Sequence, residues 1–246
     1  MNVLKVFTLV IIFIGSFFAA TQELPPQFEF IPLLSVILLA LPSYVGLIQQ
    51  TKIWNGIIIL AVLSLFAFGI ENIAIMTGMP YGEFYYFNQL GFKIGEVPWT
   101  VAFAWTPLLL GSAGFSMFML KRLNALTFFT FVLLTTLLMV MTDLVLDPGA
   151  VSLRYWEWRN PGIYYGVPVI NYFGWIVSSV IGSTILYVLT QKLAVIRQEK
   201  SLLLSWQYSL VFWTGIVLWK QLWIAFILGI IFLIFMYQQQ LKPRKS

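Results

Sequence analysis

LLLSWQYSLVFWTGIVLWKQLWIAFILGIIFLIFMY, residues 202–237, runs for 36 positions with a single charged side chain, Lys220, near its middle. An α-helix rises 1.5 Å per residue, so one helix of that length would extend about 54 Å across a hydrocarbon core of about 30 Å. The stretch therefore reads as two short spans joined by a tight turn at Lys220, with one long tilted helix as the alternative. Working outward from it, apolar runs of spanning length cover 3–20, 31–48, 53–76, 98–120, 123–146 and 168–190. The fold class these predict is all-α: a polytopic integral membrane helical bundle of about eight transmembrane helices, or seven if the final pair is continuous.

Composition agrees with a bilayer as the solvent. Only 9% of the 246 residues are charged, 60% are hydrophobic, and the mean hydropathy is +0.90. A soluble domain carries about a quarter charged residues, so this chain lacks the polar surface to coat a water-soluble globule. No segment between the apolar runs is long enough to fold as a soluble unit, and 1–246 reads as one transmembrane domain. Cysteine and histidine are both absent. That excludes disulfides, thiolate metal sites and thiol nucleophiles, along with the commonest metal ligand and general base. Acid–base chemistry falls to nine carboxylates, with tyrosine or lysine in support. No serine-nucleophile elbow, phosphate loop, dinucleotide fingerprint or Asp-rich diphosphate motif is present.

The net charge of +5 does not point to nucleic acid, because the basic residues lie in short loops between apolar spans. With the N-terminus inside, inner segments hold Lys5, Lys52, Lys121, Arg122, Lys192, Arg197, Lys200, Lys242, Arg244 and Lys245. Outer segments hold Lys93, Arg154, Arg159 and Lys220, while Glu199 is the lone inner acid. This positive-inside bias favours eight spans with both termini cytoplasmic in a multi-pass cell-membrane protein. Lys242, Arg244 and Lys245 read as lipid-headgroup anchors. The first span has signal-peptide character, but Phe18 at the −3 position breaks the small-residue cleavage rule, so it reads as a retained helix.

Two stretches resemble each other beyond hydropathy. One runs from Glu71 through Thr77-Gly78-Met79-Pro80-Tyr81-Gly82 and Tyr85-Tyr86 to Gly95-Glu96-Val97-Pro98 and Trp105. The other runs from Asp143 through Asp147-Pro148-Gly149 and Tyr164-Tyr165 to Gly166-Val167-Pro168 and Trp175. In each, a helix end carries an acid, an aromatic loop follows, and a proline opens the next helix with tryptophan seven residues on. An internal parallel repeat of helices 3–4 and 5–6 is the expectation, with 68–180 as the core region.

Spans three and five run outward together, so Glu71, Asp143 and Asp147 should reach one membrane face, near Asn171 at the start of span six. Asp143 and Asp147 are one helical turn apart on one face. Two carboxylates so placed, partly out of water, do not ionise equally, which leaves a protonated acid beside an ionised neighbour. Acids in a spanning helix are costly and mark function by default. The structural alternative is a salt bridge to Arg154 or Arg159. The loop Arg154-Tyr155-Trp156-Glu157-Trp158-Arg159 alternates charge with aromatic rings. Such rings belong in interfacial belts, and their faces also stabilise cations. A neutral carboxylic acid among ring faces suits protonation of an alkene.

Taken together, Asp143-Leu-Val-Leu-Asp147-Pro148, Trp156-Glu157-Trp158, Gly162-Ile-Tyr164-Tyr165-Gly166-Val-Pro168 and Asn171-Tyr-Phe-Gly174-Trp175 resemble the carotenoid biosynthesis family that contains carotenoid 1,2-hydratases. Glu71-Asn72 and Thr77-Gly78-Met-Pro80-Tyr81-Gly82 agree with it. The resemblance covers about residues 68–180. It implies cofactor-independent addition of water across the terminal C=C of a linear carotenoid drawn laterally from the bilayer. It further implies Asp143 or Asp147 as the acid and Glu71 as the group that orients and deprotonates water. Trp156, Trp158, Tyr164, Tyr165, Trp175, Asn171, Trp105 and Tyr81 would line the substrate, with other enzymes of the pathway as partners. A carotenoid cyclase would form the same first cation and quench it internally. A proton-coupled transporter or retinal-type sensor is the alternative from another class; Lys220, flanked by Trp219 and Gln221, reads as an interfacial turn rather than a Schiff-base lysine.

Overall fold

The computed structural model of the protein describes residues 3–23, 25–28, 30–193 and 199–241. Among these, eight helices are long and apolar enough to cross a membrane. They are α1 (Val3–Thr21), α2 (Ile31–Gln50), α3 (Ile53–Thr77), α4 (Val101–Arg122), α5 (Phe128–Ser152), α6 (Val169–Leu193), α7 (Leu203–Trp219) and α8 (Trp223–Leu241). The protein is a polytopic, all-α integral membrane protein. Arg197 and the C-terminal Lys242, Arg244 and Lys245 lie outside the described residues.

The break at Lys220 is a helix stop of definite geometry. Gln221 takes a left-handed φ of 59°. Leu222 N–H then reaches back to the Val217 carbonyl at 2.8 Å, and Gln221 N–H to Leu218 at 3.0 Å. These are the two bonds of a Schellman motif, which occupies carbonyls that the helix end would otherwise orphan. Two spans, not one tilted helix, follow from it.

Helix α4 is the hub. It packs against α2, α3, α5 and α7, and touches α6. Its run Leu108–Phe115 is buried throughout. Small residues make that centrality possible: a Cβ on Gly111 would collide with the Trp206 side chain of α7. Trp206 is fully buried and donates its indole N–H to Thr142 of α5 at 2.8 Å. In lipid, where no hydrophobic force pulls helices together, such close backbone approach and interhelical hydrogen bonds carry the packing. Helix α1 lies outermost on α7. Trp219 donates to Ser16 at 3.1 Å, and Lys5 to Gln207 at 2.6 Å.

Two boundaries differ from the sequence reading, and both matter to the site. Span five was expected over 123–146, but α4 continues to Arg122 and α5 starts at Phe128, capped by Thr127 and Thr130. The helix then continues through Pro148 and Gly149 to Ser152. Pro98 was expected to open span four. It lies instead in a two-residue strand paired with Lys93, and α4 begins at Val101. Pro168 does immediately precede α6.

The loops that follow α3 and α5 meet as a small antiparallel sheet, β1 (Phe84–Tyr86) on β4 (Trp156–Trp158), while β2 (Lys93–Ile94) pairs with β3 (Val97–Pro98). The internal repeat is not confirmed by this arrangement. The strand of the second loop lies before Tyr164-Tyr165, whereas the first loop's strand contains Tyr85-Tyr86.

Candidate active site

Helix α5 delivers two carboxylates to one place, because Asp143 and Asp147 are four residues apart on its inward face. Both are buried, at 0% and 2% exposure. Asn171, in the first turn of α6 and equally buried, spends its amide protons on them. Its Nδ2 donates to Asp143 Oδ2 at 3.0 Å and to Asp147 Oδ2 at 2.5 Å. The two carboxyl groups are also in hydrogen-bonding range of each other. Asp143 Oδ1 has no partner. Neither arginine of the loop reaches them, and Arg154 lies instead over the Phe87 ring at 5.4 Å. A buried carboxylate pair held by one neutral amide, without a countercation, is costly unless a proton is shared.

Asp147 and Asn171 open onto a cavity, as does Glu71 from α3; Asp143 stands behind the lining. About 70 Å³ of this cavity is open to the centre of a water molecule, enough for a few waters. The Glu71 carboxylate accepts a hydrogen bond from the Tyr86 hydroxyl at 3.1 Å. Burial first, and then the Glu71 charge, push the Tyr86 and Tyr81 phenols well above their ordinary range. Both therefore stay neutral hydrogen-bond donors.

The walls follow from strand alternation, in which every second side chain points to the same face. Phe84 and Tyr86 face inward, while Tyr85 faces out and donates to Glu157 at 3.1 Å. Across the register, Phe84 meets Trp158 and Tyr86 meets Trp156, with ring centroids 5.9 and 5.7 Å apart. Trp158 is fixed by its indole N–H to the Tyr81 carbonyl at 2.9 Å. Trp105 and Trp175 close the cavity from α4 and α6. A Cβ on Gly174 would strike the Tyr81 ring and the Pro80 carbonyl, so glycine there lets the loop settle against α6.

Of the residues singled out in the sequence, Glu71, Asp147, Asn171, Tyr81, Trp105, Trp156, Trp158 and Trp175 line one cavity. Tyr164 and Tyr165 lie outside its lining and hold helices instead. The Tyr164 hydroxyl donates to the Leu144 carbonyl at 2.9 Å. Leu144 is four residues before Pro148, which has no N–H to give it. Tyr165 accepts from Ile224 N–H at 3.1 Å and so satisfies one of the free donors at the start of α8. Sequence reasoning missed Tyr86 as the partner of Glu71, a pairing made only when the loop after α3 folds back. Among the described residues, no three Asp or Glu side chains group closely enough to hold a metal ion.

A family model described as carotenoid biosynthesis protein matches residues 28–236. The chain is similar to bisanhydrobacterioruberin hydratase of Haloarcula japonica, 38% identical over 165 residues. That alignment covers 65% of this chain and 55% of the relative, so the chain spans about half the length of the curated relative it matches. No solved structure matches.

Proposed function

The chain belongs to the carotenoid biosynthesis protein family, and from that premise we propose that it hydrates the terminal C=C of a linear carotenoid, acting on substrate dissolved in the bilayer. The hydratase named among its relatives supports the reaction class. The observation that carries the reading is the buried Asp143–Asp147–Asn171 cluster, whose Asp147 and Asn171 share a tryptophan-walled cavity with the Tyr86-bound Glu71.

Asp147, the member of the pair on the cavity lining, gives its proton to the less substituted alkene carbon. The alkene π electrons form the new C–H bond, and positive charge develops on the neighbouring tertiary carbon. Trp156, Trp158, Trp105 and Trp175 present ring faces to that cation, an interaction worth about 2 kcal/mol or more when desolvated. Asp143 and Asn171 receive the charge left on Asp147 by hydrogen bonding. Glu71 orients a water molecule, takes its proton as the C–O bond forms, and leaves a tertiary alcohol. Proton return from Glu71 to Asp147 through cavity water restores the starting state. Every proton and electron pair in this sequence comes from substrate, water or the chain's own side chains.

The same reading places 1–246 as one membrane domain in the cell membrane, with 68–180 carrying the site, both termini cytoplasmic and other pathway enzymes as neighbours. Expression in a lycopene-producing host tests it by product mass. A gain of one or two waters is the expected result. An isomer of unchanged mass would assign a cyclase, and an unchanged carotenoid profile with intact protein in the membrane would assign a transporter or sensor.

A further inference from the structure

The acid cavity continues beyond its tryptophan wall. A second cavity, also of about 70 Å³, shares Val36, Leu90, Ala104, Leu108, Leu146 and Trp156 with the first. No carboxylate lines it. Its remaining walls include Ser35 of α2, Pro107 of α4, and Ser209, Phe212 and Trp213 of α7. It therefore lies between α2 and α7. Among the described residues, the hydrogen bonds that fasten this part of the bundle lie further along α2. Ser43 N–H donates to Ser205 Oγ at 2.9 Å, Ser205 Oγ to the Ala40 carbonyl at 3.0 Å, and Ser43 Oγ to the Leu202 carbonyl at 2.5 Å. Pro42 lies within α2 at that junction. One to two turns nearer the site, Ser35 turns its hydroxyl back to the Ile31 carbonyl at 2.8 Å. It offers the cavity little polarity and little bulk.

We propose that this second cavity is the seat of the polyene tail, and that the tail leaves the protein for the bilayer between α2 and α7. The inference rests on the hydratase reading of the first cavity. A conjugated polyene is a stiff, apolar rod. Once its end group lies among the carboxylates, the adjoining carbons must continue nearly straight, and a cavity of this size cannot hold them. An uncharged space joined to the first through six shared side chains fits that demand. Phe212 and Trp213 supply ring surface along the rod, and the small Ser35 and Ser209 leave it room.

The experiment uses purified full-length protein in detergent, with lycopene and with geraniol, a short chain bearing the same terminal alkene. Binding of lycopene is read by quenching of tryptophan fluorescence, and hydration by product mass. Ser35→Trp and Ser209→Trp each fill the gap, the first from a half-exposed position that tolerates bulk more readily. In either variant, the lycopene-to-geraniol ratio of kcat/KM should fall by about tenfold or more, with the loss carried mainly by KM for lycopene. Equal effects on both substrates, or none on either, overturn the assignment and leave the gap to a lipid acyl chain. Failure of the underlying reading looks different. Wild-type protein would bind lycopene without hydrating it, while the tryptophan variants would still weaken that binding.

Discussion

At the residue scale, the site depends on how three carboxylates divide their partners. Asp143 and Asp147 share the single Asn171 amide, whereas Glu71 has the Tyr86 hydroxyl to itself. Substituting Asp143→Asn or Asp147→Asn keeps the shape but removes the transferable proton or the group that shares it. Product formation should fall by about 10²–10⁴-fold in each, the range for loss of a positioned acid, with the protein still recovered in the membrane fraction. Normal turnover in either variant would refute the pair as the proton source. Tyr86→Phe removes one donor to Glu71 and should lower kcat by about tenfold, measured in steady-state hydration. Burial keeps the Tyr86 phenol protonated well past its ordinary range, so its contribution should not titrate at moderately alkaline pH. The acids were legible in the sequence because a carboxylate within an apolar helix is expensive and demands a reason. The Glu71–Tyr86 pair was not, since it is made by a loop folding back over 15 residues. Nor was the retreat of Asp143 behind the cavity lining, which depends on how α5 rotates against α6.

At the element scale, the decisive feature is that α5 runs through Pro148. A helix that stopped at residue 146 would leave Asp147 on a loop, whereas the continued helix holds it one turn beyond Asp143 on the same face. Proline in a helix interior removes one hydrogen bond and costs about 3 kcal/mol. Here the Leu144 carbonyl that it abandons is taken by the Tyr164 hydroxyl. Tyr164→Phe should therefore lower thermal stability in detergent by about 1–3 kcal/mol, the cost of orphaning a buried carbonyl. Pro148→Ala restores the missing N–H, so the Tyr164→Phe penalty should shrink in that background. A double-mutant cycle that proves additive would sever the link. Sequence reading recovered every span, because hydropathy and the bilayer's thickness fix them together. It missed the β1–β4 pairing, which needs loops 70 residues apart to meet. It also ended span five at 146, where the apolar run gives way to Asp147-Pro148-Gly149, because the hydroxyl that lets the helix continue lies 16 residues downstream of the proline.

At the scale of the whole molecule, the charge distribution and the site make a joint claim about sidedness. Glu71, Asp147 and Asn171 all lie within about 10 Å of the helix ends that carry the aromatic loops. If the basic residues of the opposite loops face the cytoplasm, the end of the cavity that holds the carboxylates faces away from it. The substrate would then enter sideways, between α2 and α7, rather than from the aqueous phase. Because the chain has no cysteine, single cysteines report position without background. Ile163 is fully exposed in the loop between α5 and α6, and Leu123 is 58% exposed in the turn between α4 and α5. In intact cells, a membrane-impermeant thiol reagent should label Ile163→Cys at once. It should reach Leu123→Cys only after the membrane is permeabilised. The reverse pattern would invert the bundle and put the carboxylates at the cytoplasmic face. The geometry of the cavity would be unchanged by such an inversion, and the proposed proton transfer depends on the cavity and not on the side to which it opens. Water supply and the leaflet that holds the substrate's end group would exchange places, and the positive-inside argument would be the part that failed.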